Sequence, residues 1–172
     1  MPASSSTLIR SDASAPDEAS AFGIASTLLP IRLVLLWGEA LAGALFLRQT
    51  SSPLHGPETL GDRLNEPETA FLPIAVGSGV EVVRLGAVAY VEHRAELPEI
   101  DRLRELGASA EPVAIELMTG ETLEGELLAL ARPERSRLSD ILNRGETFVP
   151  LAALGRTLYV NRCAMARVRS HG

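Results

Sequence analysis

The sequence contains an internal repeat, and this repeat constrains the fold more strongly than any other feature. Four segments in the first half match four segments in the second half in the same order, with shared glycines, glutamates and leucines. The matching pairs begin at Pro30 and Pro112, at Leu60 and Leu138, at Phe71 and Phe148, and at Val80 and Thr157. Because order and spacing persist over about 60 residues, the pattern predicts two copies of one structural module.

Each copy has the apolar alternation that is typical of β-strands. In the second copy, Val113, Ile115 and Leu117 alternate with smaller or charged residues, and a turn sequence, MTGET, follows. Gly125 lies inside the next alternating run, where a glycine indicates a sharp bend or a close approach of the backbone. We expect about five strands per copy, enough to close a small barrel. The predicted fold is therefore mostly β, with two tandem small β-barrels.

The segments outside the two copies differ from them in composition. Residues 1–22 are rich in Ser, Ala and Pro and lack an apolar period, which predicts a disordered N-terminal tail. The first copy is assigned to residues 23–92, a linker to 93–111 and the second copy to 112–172. The linker sequence LPEIDRLRELG has leucines and isoleucine at helical spacing and a closing Gly107, so we expect a short linking helix.

The residues that could carry catalysis are few. All 16 basic residues are arginine, which excludes chemistry that depends on a lysine. The one cysteine, Cys163, cannot form an internal disulfide or a multi-cysteine zinc site. His55, His93 and His171 lie far apart, with no spacing that suggests a triad or a metal site. We therefore expect a protein that is not an enzyme and that uses neither a cofactor nor a metal.

The apolar stretch IASTLLPIRLVLLW is the strongest candidate for a membrane segment. Pro30 and Arg32 interrupt it, and it is too short to span a bilayer. The first residues also lack the basic start and apolar run of a secretory signal. These features predict a cytoplasmic protein without membrane contact.

The two copies differ on one strand face. Where the second copy has Glu116, Glu124 and Glu126, the first has Val34, Ala42 and Ala44. Two interpretations are open, because a strand that is apolar on both faces is normally buried on both. The face packs on the linker helix or on the second copy, or it docks another chain. This possible partner-docking face consists of Val34, Leu36, Ala42 and Ala44.

Each copy also has a pair of polar residues in its central loop. The pairs are Asp62 with Asn65 and Asp140 with Asn143. Aspartate is favoured at the start of a helical turn and asparagine at its end, so capping explains both pairs. The alternative is that the loops hold these side chains ready for a ligand.

The repeated pattern resembles the Sm-like family, which includes bacterial RNA chaperones. VAIELMTGETLEGELL with Asp140 and Asn143, and RLVLLWGEALAGALFL with Asp62 and Asn65, resemble its first motif. LYVNRCAMARV, with Arg162, resembles its second motif. The resemblance implies tandem Sm-like barrels that join through exposed edge strands into rings. With two copies per chain, a ring of about six barrels would take about three chains.

The charge distribution bears on RNA binding, the alternative function. Net charge is −6, but the second copy has eight arginines against seven acids, whereas the first has four against seven. Any contact with phosphate is therefore expected on the second copy. The candidate contacts are Arg132, Arg135, Arg137, Arg162 and Arg167. The preferred function is a non-enzymatic module for protein interaction or self-assembly, with RNA binding as the alternative.

Overall fold

The structure, a computed structural model, describes residues 26–49, 56–130 and 138–171. The predicted tail, residues 1–22, lies outside this part of the chain. In chain order the elements are β1 (Ser26–Leu35), β2 (Ala40–Arg48), α1 (Leu60–Asn65), β3 (Phe71–Val76), β4 (Gly79–Arg84), β5 (Val88–His93), α2 (Pro98–Glu105), β6 (Ser109–Leu117), β7 (Thr122–Ala129), α3 (Leu138–Arg144), β8 (Phe148–Ala153), β9 (Arg156–Asn161) and β10 (Met165–Ser170). The mostly β fold predicted from the alternation is confirmed.

The strands form one ten-stranded sheet in which the two copies lie side by side. Its order is β10-β6-β7-β8-β9-β5-β1-β2-β3-β4, and every neighbouring pair is antiparallel. Within each copy the last strand pairs with the first, so both copies have the same internal order. Among the described residues the sheet is open, with β4 and β10 at its two edges.

Two glycines let neighbouring strands approach closely at the same place in each copy. A Cβ atom on Gly43 in β2 would lie 2.5 Å from the carbonyl oxygen of Ala75 in β3. A Cβ atom on Gly125 in β7 would lie 2.5 Å from the carbonyl oxygen of Ala152 in β8. Only glycine fits such a gap without a shift of the backbone. Of the two alternatives that Gly125 indicated, a sharp bend or a close approach of the backbone, the close approach is present, and it recurs in the first copy.

The helix predicted in the linker is present as α2. It starts at Pro98, whose fixed φ suits a first helical position, and the chain leaves it at Gly107 with a φ of 80°. Ile100 is fully buried, and Leu97 and Leu103 pack with it in the core of the first copy. The helix therefore fixes the linker against the sheet. None of the helices in the described ranges is long and apolar enough to cross a membrane.

The buried apolar side chains form two clusters, and each cluster takes residues from both copies. The cluster of the first copy includes Phe148 and Tyr159 from the second. The cluster of the second copy includes Val34 and Tyr90 from the first. Because each copy completes the core of the other, the junction between them is part of the folded core.

Candidate assembly interface

The two copies join through antiparallel pairing of β5 with β9. The register places Tyr90 opposite Val160, Val91 opposite Tyr159, Glu92 opposite Leu158 and His93 opposite Thr157. Both strands are buried along nearly their whole length. We call this contact the internal junction.

Strand β4 has the same position in the first copy as β9 has in the second. Likewise, β10 has the same position in the second copy as β5 has in the first. Strand β9 begins at Arg156 and β4 at Gly79, and the same separation relates β10 to β5. The environments differ sharply, because Tyr159 is 3% exposed and its counterpart Val82 is 67% exposed. Val80, beside it on β4, is also exposed. An edge strand with exposed apolar side chains and unpaired backbone groups is a template for pairing with another chain.

A second contact across the internal junction is made by Asn65, the last residue of α1. Its side-chain oxygen accepts a hydrogen bond from the backbone N–H of Phe148 at 2.8 Å. Its amide nitrogen donates to the Phe148 carbonyl at 3.0 Å and to the Glu146 carboxylate at 2.9 Å. Asn65 thus satisfies both backbone groups of a fully buried residue in the other copy.

Acidic groups surround the side of the junction next to α2. The Tyr159 hydroxyl donates to Glu99, and the same carboxylate accepts from the backbone N–H groups of Leu60 and Gly61 at 3.2 Å each. Burial, followed by the charge of Glu99, raises the pKa of Tyr159 far above its ordinary value. The hydroxyl is therefore a permanent donor, which links α2 to β9.

Glu146, the carboxylate that Asn65 contacts, lies where its ionised form is disfavoured. Partial burial raises its pKa above the ordinary value, and the negative charge of Asp62 adds to the effect. The first copy supplies both Asp62 and the donor Asn65, while the second supplies Glu146. The negative charges of Asp62 and Glu146 therefore repel each other across the junction.

Polar side chains also cross the junction at β5. The Tyr90 hydroxyl donates to the Glu121 carboxylate of the β6–β7 turn at 2.9 Å. Arg156 of β9 donates to Glu92 of β5 at 3.1 Å. The side-chain amide of Asn161 donates to the backbone carbonyl of Val88 in the first copy, at a distance of 2.8 Å. Apolar pairing, hydrogen bonds and one ion pair therefore all stabilise the internal junction.

At the β10 end of the sheet, no other described strand occupies the counterpart of this junction. A cleft of about 390 Å³ lies between α3 and β10, and Ser139, Asn143, Arg162, Arg167 and Val168 are among its lining residues. Asn143 has the position in α3 that Asn65 has in α1. The cleft lies where the other copy packs in the internal junction.

The four polar loop residues separate into different roles. Thr59 is the N-cap of α1, and Asp62 is its third residue, whose carboxylate accepts from the Thr59 backbone N–H at 3.0 Å. The aspartate therefore closes a capping box and is not itself the cap. Asn65 reaches across to the other copy, Asp140 lies beside a separate cleft at the internal junction and Asn143 lies in the α3–β10 cleft.

The proposed docking face is divided between different surroundings. Val34 is buried in the core cluster of the second copy, and Leu36 packs against that cluster. Ala42 is exposed and Ala44 is half-buried. Part of this face thus packs on the second copy, which was one of the two interpretations.

The five candidate arginines are also divided. Arg132, Arg135 and Arg137 lie outside the described residues. Arg162 is half-buried and donates to the backbone carbonyl of Leu142 at the end of α3. Arg167 is exposed, with its Nε 3.7 Å from the Glu116 carboxylate. The structure brings Arg162 and Arg167 to the same cleft as Asn143.

Three exposed apolar residues, one on β3 and two on β4, were not selected as site residues from the sequence. Phe71, Val80 and Val82 are all exposed, although alternating apolar residues in a strand usually indicate burial. The available signal was the repeat. Phe148 and Tyr159, which match Phe71 and Val82, are buried by contact with the other copy.

Within the described ranges, no group of three or more His, Cys, Asp or Glu residues is arranged to hold a metal ion. Comparison with family models, with curated proteins and with solved structures finds no match to this chain.

Proposed function

We propose that this protein is a non-enzymatic assembly module in which the β4 edge of one chain pairs with the β10 edge of a second chain. The observation that carries the proposal is the internal junction. There, the counterparts of these two edges pair with each other and are buried. In the part of the chain that the structure describes, there is thus a complete example of the contact and one unpaired half of it at each end of the sheet.

The exposed apolar residues support this assignment. Phe71 is 57% exposed, whereas its counterpart Phe148 is 0% exposed because it fills the core of the other copy. Phe71 and Val82 would enter the α3–β10 cleft of a second chain, as Phe148 and Tyr159 enter the first copy. Burial of such side chains is the main favourable contribution to association.

The asparagines support the same geometry. Asn65 contacts Phe148 in the internal junction, so the matching contact between chains joins Asn143 to the backbone of Phe71 in a second chain. A β4 edge cannot pair with the β10 edge of its own sheet while both lie at opposite ends of that sheet. The pairing is therefore between chains, head to tail.

A head-to-tail contact produces a closed ring if successive rotations close, and a filament if they do not. We propose a ring, built from tandem Sm-like barrels in the manner that the sequence resemblance implies. With about six copies in the ring, the assembly contains about three chains.

The test is the molar mass of the purified full chain, measured by light scattering after size-exclusion chromatography. The wild type is expected at about three chains, and Val82→Asp at one chain, because a buried unpaired carboxylate opposes the contact. Leu154→Asp is the matched control, since Leu154 is fully exposed on the β8–β9 turn away from both edges. A wild type that stays a single chain, or an unchanged mass for Val82→Asp, contradicts the proposal.

RNA binding through the second copy is the alternative function. Its support is the convergence of Arg162 and Arg167 on one cleft. It predicts that single-stranded RNA binds with an affinity that falls as salt rises, because arginine contacts release counterions. Fluorescence anisotropy of labelled RNA measures this binding: the wild type is expected to bind and the Arg162→Glu, Arg167→Glu variant is not. No binding by the wild type at low salt contradicts this function.

A further inference from the structure

The charged residues along the two free edges differ from those at the internal junction: β10 has a base where β5 has an acid, and β4 has Glu81 and Arg84 where β9 has uncharged residues. In the internal junction, the acid Glu92 lies on β5 and the base Arg156 lies on β9, 3.1 Å apart. At the position of Glu92, the free edge β10 carries Arg169. The free edge β4 carries Glu81, in the position of Leu158.

The register of the internal junction shows where these charges would meet. Glu92 lies directly opposite Leu158. The same register between two chains places Arg169 directly opposite Glu81 of a second chain. Residues opposite each other in an antiparallel pair have their side chains on the same face, close enough for opposite charges to attract.

A second pair of opposite charges follows from Tyr90. Its hydroxyl contacts Glu121 in the β6–β7 turn. The counterparts of these two residues are Arg167 on β10 and Glu39 in the β1–β2 turn. Both are exposed, and Glu39 already accepts a hydrogen bond from the indole N–H of Trp37 at 2.9 Å. In the contact between chains, the guanidinium of Arg167 would therefore lie where the internal junction has the neutral hydroxyl of Tyr90.

We infer that these charges determine which strands pair: Arg167 and Arg169 of β10 form ion pairs with Glu39 and Glu81 of a second chain, so that first and second copies alternate. This inference rests on the proposed function. Its partner is a second copy of this chain, whose Glu39 and Glu81 complement the two arginines of β10.

Incorrect pairings bring like charges together. If β4 took the place of β9, Glu81 would lie directly opposite Glu92. If β10 took the place of β5, Arg169 would have the position of Glu92 and would lie beside Arg156. Two β10 edges would bring four arginines together. Like charges placed opposite each other disfavour a partner, and specificity depends on such repulsion as well as on attraction.

The test uses the full chain with Arg169→Glu, with Glu81→Arg and with both substitutions. All the changed side chains are exposed, so folding is expected to match the wild type by circular dichroism. Each single reversal is expected to raise the dissociation constant between chains by about 100-fold, because it places like charges opposite each other. The double reversal restores the attraction and is expected to recover assembly.

Arg102→Glu is the matched control, because it makes the same charge change on the exposed surface of α2. For the wild type, raising NaCl from about 0.05 M to about 0.5 M is expected to weaken assembly by about ten-fold.

Single reversals that assemble like the wild type, or a folded double reversal that does not recover, overturn the inference while the proposed function stands. A wild type that is a single chain even at low salt overturns both.

Discussion

Two strand positions of the repeated module are found both at the internal junction and at the ends of the sheet, and their surroundings differ between these places. At the internal junction, β5 and β9 pair with each other, and their side chains lie in the two core clusters. At the ends of the sheet, β10 and β4 have the same positions in their copies, yet they face solvent. The comparison separates what a strand contributes by its sequence from what its partner contributes.

Apolar content alone does not explain the difference. Strand β4 has valines at three of its six positions, and it is still largely exposed. The composition of β9 resembles it, but a neighbouring strand and α2 cover that strand. An apolar edge strand is an aggregation risk for a single chain, so an edge of this kind is expected to have a specific partner.

The largest expected effect comes from the two matched phenylalanines. Phe148→Ala is expected to lower the free energy of unfolding by about 3–5 kcal/mol, because it leaves a cavity in the core of the first copy. Phe71→Ala is expected to change it by only about 0.5 kcal/mol, since that side chain is mostly exposed. Both are measured by urea denaturation in a Val82→Asp background, in which the proposed assembly is expected to be absent.

Without the background substitution, Phe71→Ala is expected to lower the mass of the assembly. A large loss of stability for Phe71→Ala in the single chain would show that the two positions are equivalent in folding, contrary to the comparison.

The matched asparagines give an intermediate effect. Asn65→Ala leaves the buried backbone groups of Phe148 without their side-chain partner, and it is expected to lower stability by about 1–3 kcal/mol. Asn143→Ala is expected to leave the stability of the single chain unchanged and to weaken assembly. Thermal melting and light scattering measure the two effects, and equal melting temperatures for both variants would argue against distinct roles.

The smallest effect concerns pH. Because the pKa of Glu146 is raised in the folded state, its protonated form favours folding, and this contribution is lost as pH rises through that pKa. Glu146→Gln removes the unfavourable charge and retains an oxygen for Asn65. It is expected to be about 0.5 kcal/mol more stable than the wild type at neutral pH, because solvent screens this partly exposed group.

This gain is expected to disappear in acid, where the wild type is protonated as well. Glu68→Gln, at the counterpart position in the first copy, serves as the control in the same denaturation series. A gain for Glu146→Gln that is unchanged at low pH would exclude ionisation as its cause.

Several elements could be predicted from local sequence. The alternation of apolar residues predicted strands, and the spacing in LPEIDRLRELG predicted α2, because these patterns reflect which side of a segment is covered. Gly125 indicated a sharp bend or a close backbone approach, and only the structure shows that the strand approaches Ala152. The candidate site was harder to predict from the sequence, because the role of Asn65 depends on Phe148, 83 residues away along the chain.

By itself, the sequence determined that one β module occurs twice, with a helix between the copies, since repetition and periodicity are properties of neighbouring residues. The tertiary structure alone decided that β5 pairs with β9, that Asn65 contacts the other copy, and that β4 and β10 are left at the edges. These outcomes depend on contacts between distant segments, which the pattern of one segment does not reveal. Whether one of these strands is buried depends on which strand pairs with it, and that pairing depends on the whole fold.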